Sequence, residues 1–230
     1  MKKYPLIVLL IGVCFGHNCT AADSTDGTLL WGTCYSISNT DSLHLREIPI
    51  NEQIPSNIGD LINLVYLNLR ETQIYGSIPS SIGNLSALKY LDMSLNNLDG
   101  EILEEVWSLT NLEWLNLRGN SLTGEISPSL LNLSHLKALA LYENNLTGSI
   151  PSELGSLTNL IYLHLNNNSL NGSIPSELGN LSNLTQLIIV GHKEGRNLLC
   201  ILISITYRDS PLFCQAGGRE FKSRRSRTEE

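Results

Sequence analysis

Residues 133–156 read LSHLKALALYENNLTGSIPSELGS. Leu133, Leu136, Leu139 and Leu141 are followed by Asn144, Leu146, Gly148, Ile150, Pro151, Leu154 and Gly155. Sliding the frame by 24 residues superposes Leu61, Leu85, Leu109, Leu133, Leu157 and Leu181. A fixed period sustained over successive units outranks any local reading of secondary structure and predicts stacked repeats.

Each part of the unit has a physical role. Leu139-Ala140-Leu141 alternates as a short strand should, with its leucines inward and Ala138, Ala140 and Tyr142 outward. Asn144 leaves the strand where an amide can satisfy backbone groups that a turn leaves unpaired. Gly148 suits a tight backbone position, and Pro151 ends regular pairing because it lacks an N–H. Leu154, Leu157 and Leu160 close the unit from the opposite side. One turn cannot bury its leucines alone, so the units must stack.

This pattern resembles the leucine-rich repeat, L-x-x-L-x-x-L-x-L-x-x-N-x-L-x-G-x-I-P-x-x-L-G-x. Its length and Ile-Pro step look like the plant-specific type found in extracellular receptors and secreted inhibitors, and also in bacterial and protist secreted proteins. The resemblance implies an α/β repeat solenoid: a right-handed horseshoe with a parallel β-sheet on its concave face and short 3-10 or irregular segments on its convex face.

The chain of 230 residues, 42% hydrophobic and 16% charged, has material for one extended domain. Met1-Lys2-Lys3, the apolar run Leu6 to Phe15 and the small residues Thr20 to Ala22 predict a secretory signal over 1–22. That run is too short to span a bilayer. Residues 23–36 form the expected N-terminal cap, in which Trp31-Gly32-Thr33-Cys34 looks like the second half of the cap of plant-type repeats. Such caps have an earlier cysteine, and the chain after residue 22 offers none, so Cys34 is expected to be free or to pair elsewhere.

The repeats occupy 37–190, as six full units and a partial seventh. The first unit is degenerate: Ile48 stands where asparagine is expected, as does Thr72 in the next. The asparagine series is complete at Asn96, Asn120, Asn144 and Asn168, which predicts a looser N-terminal end. Leu103 and Ser127 replace the usual proline, and the pattern stops at His192.

Residues 191–230 depart from the pattern, as an irregular cap or a non-native tail. Eight Lys/Arg against five Asp/Glu make them basic, while the overall net charge is −7. The apolar run Leu198 to Tyr207 could cover the last repeat, with a disulfide between Cys200 and Cys214. Glu220-Phe221-Lys222-Ser223 can be back-translated to GAG-TTC-AAA-TCC, which contains the T-loop sequence of transfer-RNA genes. This raises the expectation of a truncated or frameshifted frame; the alternative is a solvated basic tail.

Outward strand residues of a solenoid line up in columns about 4.8 Å apart. The first column is Ser42, Tyr66, Tyr90, Trp114, Ala138, Tyr162, Gln186. The second is His44, Asn68, Asp92, Asn116, Ala140, His164, Ile188. The third is Arg46, Arg70, Ser94, Arg118, Tyr142, Asn166, Val190. Aromatics beside arginines and amides resemble a protein-binding hot spot. The candidate partner-binding residues are Tyr66, Asn68, Arg70, Tyr90, Asp92, Trp114, Asn116, Arg118, Tyr142, Tyr162 and His164. They suit a protein or peptide, or a sugar ring lying along the groove. The competing reading is a structural stripe, because an aromatic covers the pleat well. Ala138 and Ala140 are expected to leave a shallow gap.

No motif for catalysis, metal or phosphate appears, and no cofactor is expected. His44 and His164, five units apart and so about 24 Å by strand spacing, cannot share a proton or a metal. The acidic repeat body disfavours nucleic acid. Sequons stand at Asn84, Asn132, Asn145, Asn167, Asn171, Asn180 and Asn183, although the repeat consensus itself generates such triplets. The sequence therefore reads as a secreted or cell-surface, non-catalytic recognition module. The alternatives are a truncated ectodomain of a receptor-like protein or kinase and a structural adhesion repeat.

Overall fold

The computed structural model describes residues 14–15, 18–20, 26–190, 198–204, 213–216 and 219–222, with side chains described over 26–189. The seventh-unit stop at His192 and the side chains of Cys200 and Cys214 lie outside the described residues, as does most of 1–22.

The period becomes a parallel sheet. Ser42–His44, Tyr66–Asn68, Tyr90–Asp92, Trp114–Asn116, Ala138–Ala140, Tyr162–His164 and Gln186–Val190 pair in sequence order. Every partner stands 24 residues away, as in Leu115 beside Leu139. The strands bury Leu67, Leu91, Leu115, Leu139, Leu163 and Leu187 on one side. Their backbone neighbours face the other way, as a period of two requires.

Beyond the last parallel strand the sheet continues antiparallel through Leu198–Ser204, Phe213–Ala216 and Arg219–Lys222. At the N-terminal end Asp26–Leu30 and Thr33–Ser36 form a hairpin within a separate four-stranded antiparallel sheet. The hairpin is tied to the first repeat: Asn57 Nδ2 donates to the Leu29 carbonyl at 2.7 Å, and the buried Thr28 hydroxyl donates to Asp60 at 2.9 Å. Cys34 is disulfide-bonded, which removes the free-thiol alternative for this residue.

The convex side is built from 3-10 turns, Ser56–Asp60, Ser80–Asn84, Pro128–Asn132, Ser152–Ser156 and Ser176–Asn180. In four of them proline precedes the turn. In the fourth unit Ser127 takes that place and accepts the Ser129 N–H, with Pro128 at the first turn position. The third unit differs, with an α-helical turn at Glu104–Trp107. Here Leu103 replaces the proline and Trp107 replaces the turn glycine, and the indole is fully buried in the core. A side chain of that size needs an inward path.

The asparagines bind three segments each. Asn144 Nδ2 donates to the Leu141 carbonyl in its own unit and to the Leu117 carbonyl one unit back, both at 3.0 Å. Asn96, Asn120 and Asn168 repeat the arrangement. Thr72 keeps only part of it, donating to the Leu69 carbonyl at 2.8 Å. Ile48 contributes no polar group and is 40% exposed. A second amide series runs along the flank, unseen in the sequence reading: Asn63, Asn111, Asn159 and Asn183 each donate to a carbonyl 25 residues earlier. Its signal was the Leu-x-Asn-Leu step just before each of those strands.

Candidate binding face

Strand register aligns the first two outward columns. Tyr66, Tyr90 and Trp114 stand side by side, as do Asn68, Asp92 and Asn116. The strand spacing then forces the rings to stack. His44 and Tyr66 lie 4.3 Å apart at 27°, Tyr66 and Tyr90 4.2 Å apart at 6°, and Tyr90 and Trp114 5.8 Å apart at 14°. His44 thus extends the candidate set at its N-terminal end.

Stacking decides what the face presents. The π faces of Tyr66 and Tyr90 are occupied by neighbouring rings, leaving edges and hydroxyls for a ligand. A sugar ring packs on an aromatic face, so this stripe is poorly suited to carbohydrate. It suits side chains and backbone that meet ring edges and polar groups.

Beneath the hydroxyls lies a polar layer. Asn68 Nδ2 donates to the Tyr66 hydroxyl at 3.4 Å, and the Tyr90 hydroxyl donates to Asp92 Oδ2 at 3.3 Å. Asp92 is only 4% exposed and accepts three further bonds, from Asn116 Nδ2 at 3.1 Å, the Ser94 N–H at 2.9 Å and the Ser94 hydroxyl at 2.6 Å. Four neutral donors thus satisfy a buried carboxylate in place of a cation. Burial, then the adjacent Asp92 charge, pushes the Tyr90 phenol well above its ordinary range. Ser94, outside the candidate set, is an anchor of this layer.

The arginines differ among themselves. Arg46 pairs with Glu47 at 2.8 Å and Arg70 with Glu71 at 2.7 Å, each carboxylate being the next residue in the chain. The Glu71 hydrogen bond holds the Arg70 guanidinium above its ordinary range. At Arg118 the next residue is Gly119. Its guanidinium lies over the Tyr142 ring, 5.2 Å from the centroid, and donates to the Tyr142 hydroxyl. Tyr142 in turn meets His164 edge-on at 5.9 Å. His164 hydrogen-bonds Gln186 at 3.2 Å, and burial moves its imidazole below the ordinary value.

The expected gap at Ala138 is closed. Trp114 and Tyr162 lean over it with centroids 6.3 Å apart at 58°, leaving Ala138 2% exposed. A small residue in a ring column lets its neighbours collapse across it.

The candidate residues thus form one continuous concave face, with Tyr66, Asn68, Arg70, Tyr90 and Asp92 toward one end and Tyr142, Tyr162 and His164 toward the other. The sequon asparagines Asn84, Asn132, Asn145, Asn167, Asn171, Asn180 and Asn183 are exposed and lie outside the columns. Among the described residues no helix is long and apolar enough to cross a membrane, and no group of three or more His, Cys, Asp or Glu could hold a metal ion.

A leucine-rich repeat family model matches residues 62–122, and a further one matches 135–157 and 159–181. No match is found among curated protein sequences. Among solved structures, the chain is similar to the ectodomain of the membrane receptor kinase GASSHO1/SCHENGEN3 from Arabidopsis thaliana in complex with CASPARIAN STRIP INTEGRITY FACTOR 2. Identity is 43% over 58% of this chain and 16% of that one, with a TM-score of 0.57. It is also similar to the Arabidopsis receptor kinase HAESA ectodomain bound to an extended IDA peptide hormone, at 33% identity over 61% of this chain and 24% of that one, with a TM-score of 0.60. A TDR receptor gives 41% identity over 60% of this chain and 24% of that one, with a TM-score of 0.59. The chain therefore spans about a quarter or less of the length of these receptors. Period, register, asparagine bonding and family match agree: this chain carries 24-residue leucine-rich repeats, similar to those of the plant receptor ectodomains.

Proposed function

We propose that this chain is an extracellular, non-catalytic recognition module that binds a protein or peptide along its concave strands. The observation that carries the reading is the stacked column from His44 to Trp114, flanked by amides and arginines. A preformed aromatic surface presents contact area at little entropic cost on binding. The HAESA ectodomain, similar in architecture and bound to a peptide hormone, supports a peptide as the partner class.

The signal-like Met1 to Ala22 segment supports secretion. The exposed sequons support glycans that coat the convex and lateral surfaces while the concave columns stay open.

The test is capture from extracellular extract by wild type and by a Tyr66→Ala/Tyr90→Ala/Trp114→Ala variant, after both show matching circular dichroism and melting. A partner held by wild type and lost by the variant supports the proposal. Equal capture by a folded variant reduces the stripe to a structural one.

A further inference from the structure

The first column changes character at one point. From Tyr66 to Trp114 successive rings are near-parallel at 6° and 14°, with His44 of the second column stacked on Tyr66 at 27°. Across Ala138 the next pair, Trp114 and Tyr162, meets at 58°. These two residues stand on strands two apart, so their backbones are separated by roughly 9.6 Å. Their centroids have nonetheless closed to 6.3 Å.

The closure leaves a polar group stranded. The Trp114 Nε1–H is buried and has no hydrogen-bond partner. An unpaired buried donor is costly, so the closure of Tyr162 onto Trp114 above Ala138 is a poor resting state for this pair. Trp114 already lies near-parallel to Tyr90 at 14°, so the tilted ring is Tyr162, and turning Tyr162 upright would reopen the full two-strand width above Ala138 and Ala140. A ring placed midway would lie about 4.8 Å from each wall, within the range of favourable aromatic pairs. The column lacks one ring, and the opening has the width of one ring.

Charge adds a second constraint. Arg46 and Arg70 are neutralised by the glutamates that follow them, whereas Arg118, one strand before Ala140 at the rim of this opening, is followed by glycine. Among the described residues no carboxylate lies within ion-pair distance of Arg118. The rim thus offers a cation, and the Trp114 wall a free donor.

We propose that the Ala138–Ala140 step is a slot for one aromatic side chain of the protein or peptide partner, inserted between Trp114 and Tyr162 and accompanied by a carboxylate facing Arg118. The proposal rests on the concave-face reading and specifies the side-chain chemistry it selects. Tyr162 is the mobile wall, and the Trp114 indole N–H gains an acceptor only when the slot is filled.

The test uses the full chain, following the Trp114 indole N–H by NMR, assigned with Trp114→Phe. The probes are N-acetylphenylalanine and N-acetylleucine, both carrying a carboxylate. The expected result is saturable movement of the Trp114 signal, with the aromatic probe binding roughly fivefold tighter. Arg118→Gln weakens it several-fold, and Ala138→Tyr, which supplies the missing ring from within, abolishes it while the chain stays folded. Equal response to both probes, indifference to Arg118→Gln, or binding that survives in Ala138→Tyr overturns the proposal. If Ala138→Tyr fails to fold, Tyr162→Ala takes its place: removing the far wall must erase the aromatic preference, and a retained preference overturns the slot. Partner capture separates this idea from the broader one. Full capture by Ala138→Tyr alongside loss in Tyr66→Ala/Tyr90→Ala rejects the slot and keeps the concave face. Undiminished capture by folded Tyr66→Ala/Tyr90→Ala rejects the concave face, and the probe titration then judges the slot alone.

Discussion

The Asn144 side-chain carbonyl accepts the backbone N–H of Leu122, 22 residues earlier, at 3.1 Å. Its amide nitrogen donates to Leu117 and Leu141 at the same time. One side chain, 7% exposed, thereby closes backbone groups of two successive units.

Replacing Asn144 with alanine strands a buried N–H and two buried carbonyls. The expected loss is about 2–4 kcal/mol, allowing for partial relaxation of groups that each cost about 1–3 kcal/mol when unpaired. Asn144→Thr should fall between wild type and alanine, because Thr72 at the equivalent position still reaches the Leu69 carbonyl. Urea unfolding of the three chains measures this, and equal midpoints for alanine and wild type would show that water replaces the amide.

Backbone conformation gives a prediction of the opposite sign. Glu143, just before the ladder asparagine, has φ 59°. Left-handed backbone costs a side-chain-bearing residue about 1–2 kcal/mol, and glycine adopts it freely. Glu143→Gly should therefore stabilise the chain by about 1 kcal/mol after the extra freedom of glycine in the unfolded state is subtracted. Gly119 already fills the equivalent place one unit earlier, at φ 63°. A lower urea midpoint for Glu143→Gly would show that the glutamate makes contacts worth more than the strain.

These positions show what the sequence disclosed and what it withheld. The period placed Leu139, Asn144 and the outward columns correctly, because burial and hydrogen bonding at those sites depend on register alone. It could not show that Trp114 and a tilted Tyr162 would close over Ala138, because that depends on torsions chosen among neighbours in space. Nor did residue identity show that Asp92 would lie 4% exposed beneath tyrosine hydroxyls. An aspartate on an outward position reads as solvated until Ser94 and Asn116 are seen to supply its donors. The closed gap and the unneutralised Arg118 are likewise properties of pairs and triples, which no single column reveals.

The convex face yields a steric prediction. A Cβ built on Gly155 would lie 2.3 Å from the Glu177 carbonyl oxygen, which is backbone and cannot swing away. Gly155→Ala must push the fifth turn from the fourth or shift both, at about 1–3 kcal/mol. Leu131 holds the equivalent place one unit earlier and points out, 48% exposed, so Leu131→Ala should change stability by less than about 0.5 kcal/mol. Thermal melts of the pair test whether the glycine is required by stacking, and a large loss in Leu131→Ala with none in Gly155→Ala would reverse the assignment.

Acid sensitivity follows from His164. Burial lowers its imidazole below the ordinary value of about 6.5, only partly opposed by the Gln186 hydrogen bond. The fold thus favours the neutral ring, and as pH falls the unfolded chain takes up the proton first. The contribution is complete above the unfolded value and declines as pH drops through the lower folded one. Wild type should lose more stability between pH 7 and pH 5 than His164→Gln, in which nothing titrates at this position. Urea midpoints for both chains at the two pH values measure the difference, with the carboxylates common to each cancelling in the comparison. Parallel declines in the two proteins would mean that the His164 ring meets water as freely in the folded chain as in the unfolded one, and that its contact with Tyr142 is too loose to dehydrate it.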